Sequence, residues 1–425
     1  MNFELQALTA PGRRLVTLAE EHAADFATRA DQHDRENTFV AENFEAMKQS
    51  GFFGACAPEE FGGIGVDSVH DLTVAISRLA RGCPSTAISA NMHMAGVLTV
   101  TRGWRQAQRT GDAATAALMQ GFLPALGQGT VVTSGAGTER GSILGVPFTE
   151  ATPTEGGYLI NGHKLFATNS EVADALAVFL RAPGDDGQPY FALAVVRRGS
   201  AGMEVKGNWD ALGMRGSGSH DVVFKDCFVP APMVTVLNPL GSLPASGLAT
   251  SISTNYPLVG AFLGIAESAR DYIVEQARTR KKKPFASTIA ERPATQVQVA
   301  EMEVALTAAR AALGRTGVAI DEWLTQPEEE MEMSEATAVM SEFQCTKLIV
   351  NRAACDVVDR AMTVSGGSGY LTDSPLSRLY RDVRAGAFMQ PFSPNEAFEF
   401  IGRVSLGLDP YAEVRAAVEA MKAEG

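Results

Sequence analysis

Gly366-Gly367-Ser368-Gly369-Tyr370, Ser374-Pro375, Tyr380-Arg381-Asp382 and Phe388-Met389-Gln390 punctuate residues 366–390. They follow Ser334 to Val364, a long run with helical periodicity and few breakers. The glycines let the backbone turn and approach a ligand closely. Such a turn either meets a dinucleotide pyrophosphate with free N–H groups or only caps the helix, and the residues alone leave both readings open. Working outward, Leu258 to Arg280 and Thr295 to Trp323 share the periodicity, so residues 245–425 are expected to form a helical bundle.

Upstream, apolar residues recur at helical spacing from about Leu5 to Leu126, as in Leu72, Val74, Ala75, Ile76 and Leu79. Breaks at Pro58, Gly62-Gly63 and Cys83-Pro84 divide this helical unit, residues 1–128. From Val131 the pattern changes. Tyr158-Leu159-Ile160, Asn161-Gly162 and Lys164-Leu165-Phe166 read as a hairpin, because Asn-Gly supplies the positive φ angles of a type I′ turn. Further short runs at Leu176 to Leu180, Phe191 to Val196 and Val222 to Phe224 complete a β unit over residues 129–232. Residues 230–247, with Pro230, Pro232, Pro239, Gly241, Pro244 and Gly247, read as a connecting segment.

A chain of 425 residues exceeds one hydrophobic core, and its net charge of −13 argues against a nucleic-acid partner. Neither a membrane span nor a signal-peptide layout is visible, so a cytoplasmic protein is expected. The five scattered cysteines lack zinc or redox spacing, and no metal is expected.

In order along the chain, Pro58 to Gly63, Val132-Thr133-Ser134-Gly135-Ala136-Gly137, Ile160 to Lys164, Phe166-Ala167-Thr168-Asn169, Leu212 to Ser219, Phe228-Val229-Pro230 and the 366–390 stretch resemble the acyl-CoA dehydrogenase superfamily. The resemblance covers nearly the whole chain. It implies an α+β fold with an N-terminal helical domain, a central β-barrel domain and a C-terminal four-helix bundle. It also implies FAD and a homotetramer or homodimer. By it, Thr133, Ser134, Phe166 and Thr168 lie at the flavin, while Arg280, Phe285, Gly366, Gly367 and Gly369 reach the cofactor of a neighbouring subunit. For Arg280 the alternative is a solvated basic turn.

The departures matter more than the matches. In the family a carboxylate removes a proton α to a thioester carbonyl, and one location of that base aligns with Gln390, which has no ionisable site. The other aligns with about Thr254, followed by Asn255. The Met214 to Ser219 loop also resembles that of flavin-dependent monooxygenases. The expected protein is therefore an oxygen-using flavoenzyme acting on a small organic or acyl-thioester substrate, with oxygen and a flavin reductase as further partners. Gln390 lines the substrate pocket in this reading, and His93, on an otherwise apolar helix, is the histidine to test, against the alternative of a satisfied core residue. The rivals are a dehydrogenase whose base is displaced to Glu396, and a flavin-binding subunit without catalysis.

Overall fold

The computed structural model describes residues 3–424, apart from 144 and 285. Six helices come first: α1 (Ala10–Phe26), α2 (Ala30–Glu36), α3 (Ala41–Gln49), α4 (Val69–Gly82), α5 (Pro84–Thr110) and α6 (Ala113–Gly127). Thr9 and Ser68 cap α1 and α4 by accepting from Gly12 N–H and Asp71 N–H. Only Cys83 separates α4 from α5, whose first residue is Pro84, where a missing N–H removes no helical bond.

Eight strands follow: β1 (Thr133–Ala136), β2 (Glu150–Thr154), β3 (Gly157–Ala167), β4 (Ala175–Pro183), β5 (Pro189–Arg197), β6 (Met203–Val205), β7 (His220–Pro230) and β8 (Val234–Pro239). They make one sheet in the order β6-β7-β3-β2-β4-β5-β8, with β1 parallel to β4. Because β6 and β8 pair only inward, the sheet of the central domain, expected as a β-barrel, is not closed.

Two local expectations are corrected. Asn161-Gly162 is no hairpin turn; it lies inside β3, where the pairing with β7 shifts register between Ile160 and Gly162. Asn161 bonds both the N–H and the carboxylate of Asp226, and a Cβ on Gly162 would lie 2.1 Å from Thr149 Oγ1. The pair serves as a bulge with close packing. The second correction concerns the Pro-rich segment, which contains β8, because Val234 and Val236 pair with β5 between the prolines.

The C-terminal helices are α7 (Ala245–Thr279), α8 (Pro293–Trp323), α9 (Met333–Ser365), α10 (Pro375–Asp382), α11 (Pro394–Ser405) and α12 (Ala412–Glu424). Helices α7, α8, α9 and α11 pack as a bundle. It also embraces α4: a Cβ on Gly260 or Gly264 of α7 would stand 2.3 Å from Thr73 O or 2.1 Å from Ser77 O. At this crossing the buried Glu267 meets Arg81 at 2.6 Å and Arg310 at 2.8 Å. The two helical stretches thus share one hydrophobic core, and the sheet has its own.

Candidate active site

Strand β1 is pinned to α5 by a histidine. Thr133 N–H donates to His93 Nδ1 at 3.1 Å, and the Thr133 hydroxyl lies 3.2 Å from the same nitrogen. A ring nitrogen that accepts an N–H carries no proton, so His93 is neutral. Complete burial pushes its pKa down to about 4. The helix comes this close because Gly96 has no side chain; a Cβ there would stand 2.7 Å from Thr133 Oγ1.

The end of β3 folds over β1. Phe166 and Asn169 both take left-handed backbone angles, φ 55° and φ 72°. Ser134 donates to Thr168 O at 2.5 Å, and Asn169 donates to Ser89 O at 2.9 Å and Thr133 O at 3.3 Å. The hydroxyls of Thr168, Ser219 and Ser217 form a chain with steps of 2.8 and 2.7 Å. Phe166 keeps 59% of its surface exposed and presents an edge to Trp209, ring centres 6.1 Å apart. The Trp209 main-chain N–H donates to His220 Nδ1 at 2.8 Å, and its indole N–H to Met214 O at 3.0 Å. Sequence reading missed both Asn169 as an organiser and Trp209, whose only signal is a lone indole in a polar loop.

A second corner lies at the end of α7. Arg280 donates to Ser365 O at 3.0 Å and to Ser368 Oγ at 2.9 Å, so it shares a turn with Gly366, Gly367 and Gly369. A Cβ on Gly366 or Gly367 would meet nothing within 4 Å. Phe285 lies outside the described residues. Among those described, no hydrogen bond within the chain joins this corner to β1.

Gln390 is exposed and points its Nε2 at Met92 Sδ, 3.6 Å away on the helix that carries His93. Nearby, Asn91 donates to Thr254 O at 3.4 Å, and Asn255 turns back onto Ser251 O at 2.8 Å. Glu396 accepts from Ser393 N–H at 2.7 Å in a capping box that starts α11. Its carboxylate serves the helix end.

The comparisons with known proteins agree with this architecture. Models of the acyl-CoA dehydrogenase N-terminal, middle and C-terminal domains match residues 13–110, 134–227 and 257–394. The amino sugar nitrososynthase RubN8 of Streptomyces rubradiris is 34% identical over 405 residues, covering 95% of this chain and 92% of that protein. The L-evernosamine nitrososynthase of a Micromonospora species is 33% identical over 416 residues, covering 96% and 94%. A crystal structure of KijD3 in complex with FMN and dTDP-3-amino-2,3,6-trideoxy-4-keto-3-methyl-D-glucose superposes with TM-score 0.87 at 33% identity, covering 96% and 97%. The chain belongs to the acyl-CoA dehydrogenase superfamily. It is a flavin-dependent oxidoreductase, and its cofactor is a flavin.

The residues present fit such a group. Gly135 is exposed on β1 and a Cβ there would meet nothing within 4 Å, leaving space beside Thr133, Thr168 and the open face of Phe166. Asn169 Oδ1, just after β3, and Asn91 Oδ1, on α5, are buried acceptors without a hydrogen-bond partner. Among the described residues, no cluster of His, Cys, Asp and Glu could hold a metal, and no helix is long and apolar enough to cross a membrane.

The neutral state of His93 has a thermodynamic consequence. Its folded pKa of about 4 lies below the ordinary histidine value, so the unfolded chain binds more protons between these pH values. Stability should be full above pH ~6.5 and fall by about 3 kcal/mol as pH drops through that window to ~4. Comparing denaturant midpoints at pH 7.5 and pH 5 for the wild type and His93→Gln checks this. Equal acid sensitivity in both proteins would assign the effect to other groups.

Proposed function

We propose that this chain is an oxygen-using flavoenzyme that transfers oxygen to the amine of an amino sugar carried on a nucleotide. The observation that carries this reading is the amide of Gln390 facing α5, with Thr254 and Asn255 at the alternative base position and Glu396 committed to a helix cap. Removing an α-proton from a thioester needs an ionised base within reach, whereas oxygenating an amine needs a free lone pair. The relatives named as nitrososynthases, and the amino-sugar nucleotide bound by KijD3, support the substrate class.

A bound reduced flavin (FlH2) would supply two electrons and dioxygen the oxygen atom: R–NH2 + O2 + FlH2 → R–NHOH + H2O + Fl. A second equivalent of each gives R–N=O and two waters. The chain's own residues bind and orient. In this reading Thr133, Ser134 and Thr168 hold the flavin's polar edge, while Phe166 and Trp209 wall the space and exclude water. His93 acts through Thr133, fixing the strand. Gln390 Oε1 accepts an N–H from the substrate amine while leaving its lone pair free.

Arg280 and the Gly366 turn are assigned to the FAD of a neighbouring subunit in a homo-oligomer. FMN would leave that corner free, so the mass of the released cofactor distinguishes the two forms. A separate reductase delivers the electrons. The test supplies reductase, NADH, flavin, oxygen and a dTDP-3-amino sugar, and follows product mass. Product heavier by one oxygen atom (the hydroxylamine), or by one oxygen less two hydrogens (the nitroso compound), is expected; hydrogen peroxide alone, or turnover of acyl-CoA substrates instead, would overturn the reading.

A further inference from the structure

The segment that carries Gln390 has little packing of its own: Phe388 is 71% exposed, Gln390 is exposed, and Met389 is half-buried. What holds it is one stripe of α9. Lys347, only 3% exposed, donates from Nζ to Phe392 O at 2.6 Å and also to Met389 O. These two carbonyls bracket Gln390-Pro391. One turn along, Asn351 donates to Gly386 O at 2.8 Å, and a Cβ on Gly386 would stand 2.5 Å from Asn351 Oδ1. Another turn along, Cys355 Sγ lies 4.0 Å from Val383 O. Positions 347, 351 and 355 recur every four residues, so they project from one helix face as three rungs.

We infer that this ladder, and Lys347 above all, positions Gln390 against α5 for the reaction, so that Lys347 is a positioning residue of the active site. The inference rests on the function proposed above. Burial pushes the Lys347 ammonium down to about 8, with Glu396 opposing, so it is still protonated at neutral pH. A buried cation whose acceptors are main-chain carbonyls gives charge-assisted bonds, stronger than those a neutral side chain offers. Both carbonyls are fixed by one atom, and among the described residues the hydrogen-bond partner of the Gln390 side chain is the soft Met92 sulfur.

The test uses four holoenzymes: wild type, Lys347→Met, Gln390→Ala and the double variant. Without substrate, amide hydrogen exchange over residues 386–392 should accelerate by about tenfold or more in Lys347→Met, with exchange in the sheet unchanged. With the dTDP-3-amino sugar, kcat should fall and the share of oxygen released as hydrogen peroxide should rise in each single variant. KM should move less than kcat. The double variant should be no worse than Gln390→Ala alone, because a positioning residue loses its effect once the residue it positions is gone. Unchanged exchange, or losses that multiply in the double variant, would overturn the inference. Should Lys347→Met not fold, Asn351→Ser, which keeps the stripe but shortens the next rung, passes through the same cycle. If the wild type oxygenates no amine, the proposed function fails, while the exchange data still decide whether the clamp exists.

Discussion

Gln390→Glu is expected to cut amine oxygenation at pH 7 by about 10- to 100-fold, because a carboxylate beside the substrate amine favours the ammonium form by about 1–2 pKa units. An ammonium has no lone pair to attack oxygen. The loss should therefore shrink as pH rises, with the acid limb of the kcat/KM profile moving up by about 1–2 units. The existing amide accepts the same N–H without that charge. A pH profile of the glutamate variant beside that of Gln390→Ala separates the effects: alanine loses orientation at every pH, whereas glutamate loses activity chiefly at low pH. A glutamate variant that instead gains acyl-CoA dehydrogenation would show a pocket still shaped for thioesters.

Glu139→Ala should destabilise the sheet unit by about 3–5 kcal/mol, since it leaves a buried ammonium without its counter-charge. Lys164, with its side chain fully buried on β3, donates to Glu139 Oε1 at 2.7 Å, and Glu139 also accepts from the N–H groups of Phe148 and Thr149. The pair ties the segment after β1 to the strand that carries Phe166, so flavin content should fall with stability. Combining Glu139→Gln with Lys164→Met removes both charges while keeping an acceptor for one of the two N–H groups, which bond different carboxylate oxygens. The double variant should thus be more stable than Glu139→Ala, as read from urea unfolding of the apo and loaded proteins. A double variant as weak as the single one would mean that packing around Glu139, rather than its charge, sets the stability.

The order of helices, strands and helices was legible because periodicities of 3.6 and 2 residues leave separate marks in long segments. The Gly366 turn and Phe166-Ala167-Thr168-Asn169 were legible as motifs. What failed was local geometry decided by distant partners. Asn161-Gly162 has the composition of a hairpin turn, but Asp226 and Thr149 hold it as a bulge. Val234 to Pro239 has the composition of a linker, but β5 offers it an edge. Sheet closure depends on which edges meet, and no residue pattern within a strand records that. At the site, the nearness of His93 to Thr133 could not be read from residues forty positions apart. The Lys347 rung was equally hidden: a lysine in an apolar helical stripe looks like a surface residue until the segment it holds is seen.

The crossing of α4 and α7 bears on how the chain is made. Arg81 finds Glu267 only across 186 residues of sequence, and the carbonyls of Thr73 and Ser77 meet their glycine partners only at positions 260 and 264. At translation speeds of about 5–20 residues per second, the first helices emerge roughly 10–40 s before the helix that covers them. Through that interval the apolar flank of these helices lies uncovered outside the ribosome, and Arg81 lacks Glu267, with Glu4 of its own half, 3.2 Å away in the finished fold, to meet it. Completion of this protein therefore waits on its second half, and a nascent chain stalled within the sheet is the form most in need of a chaperone.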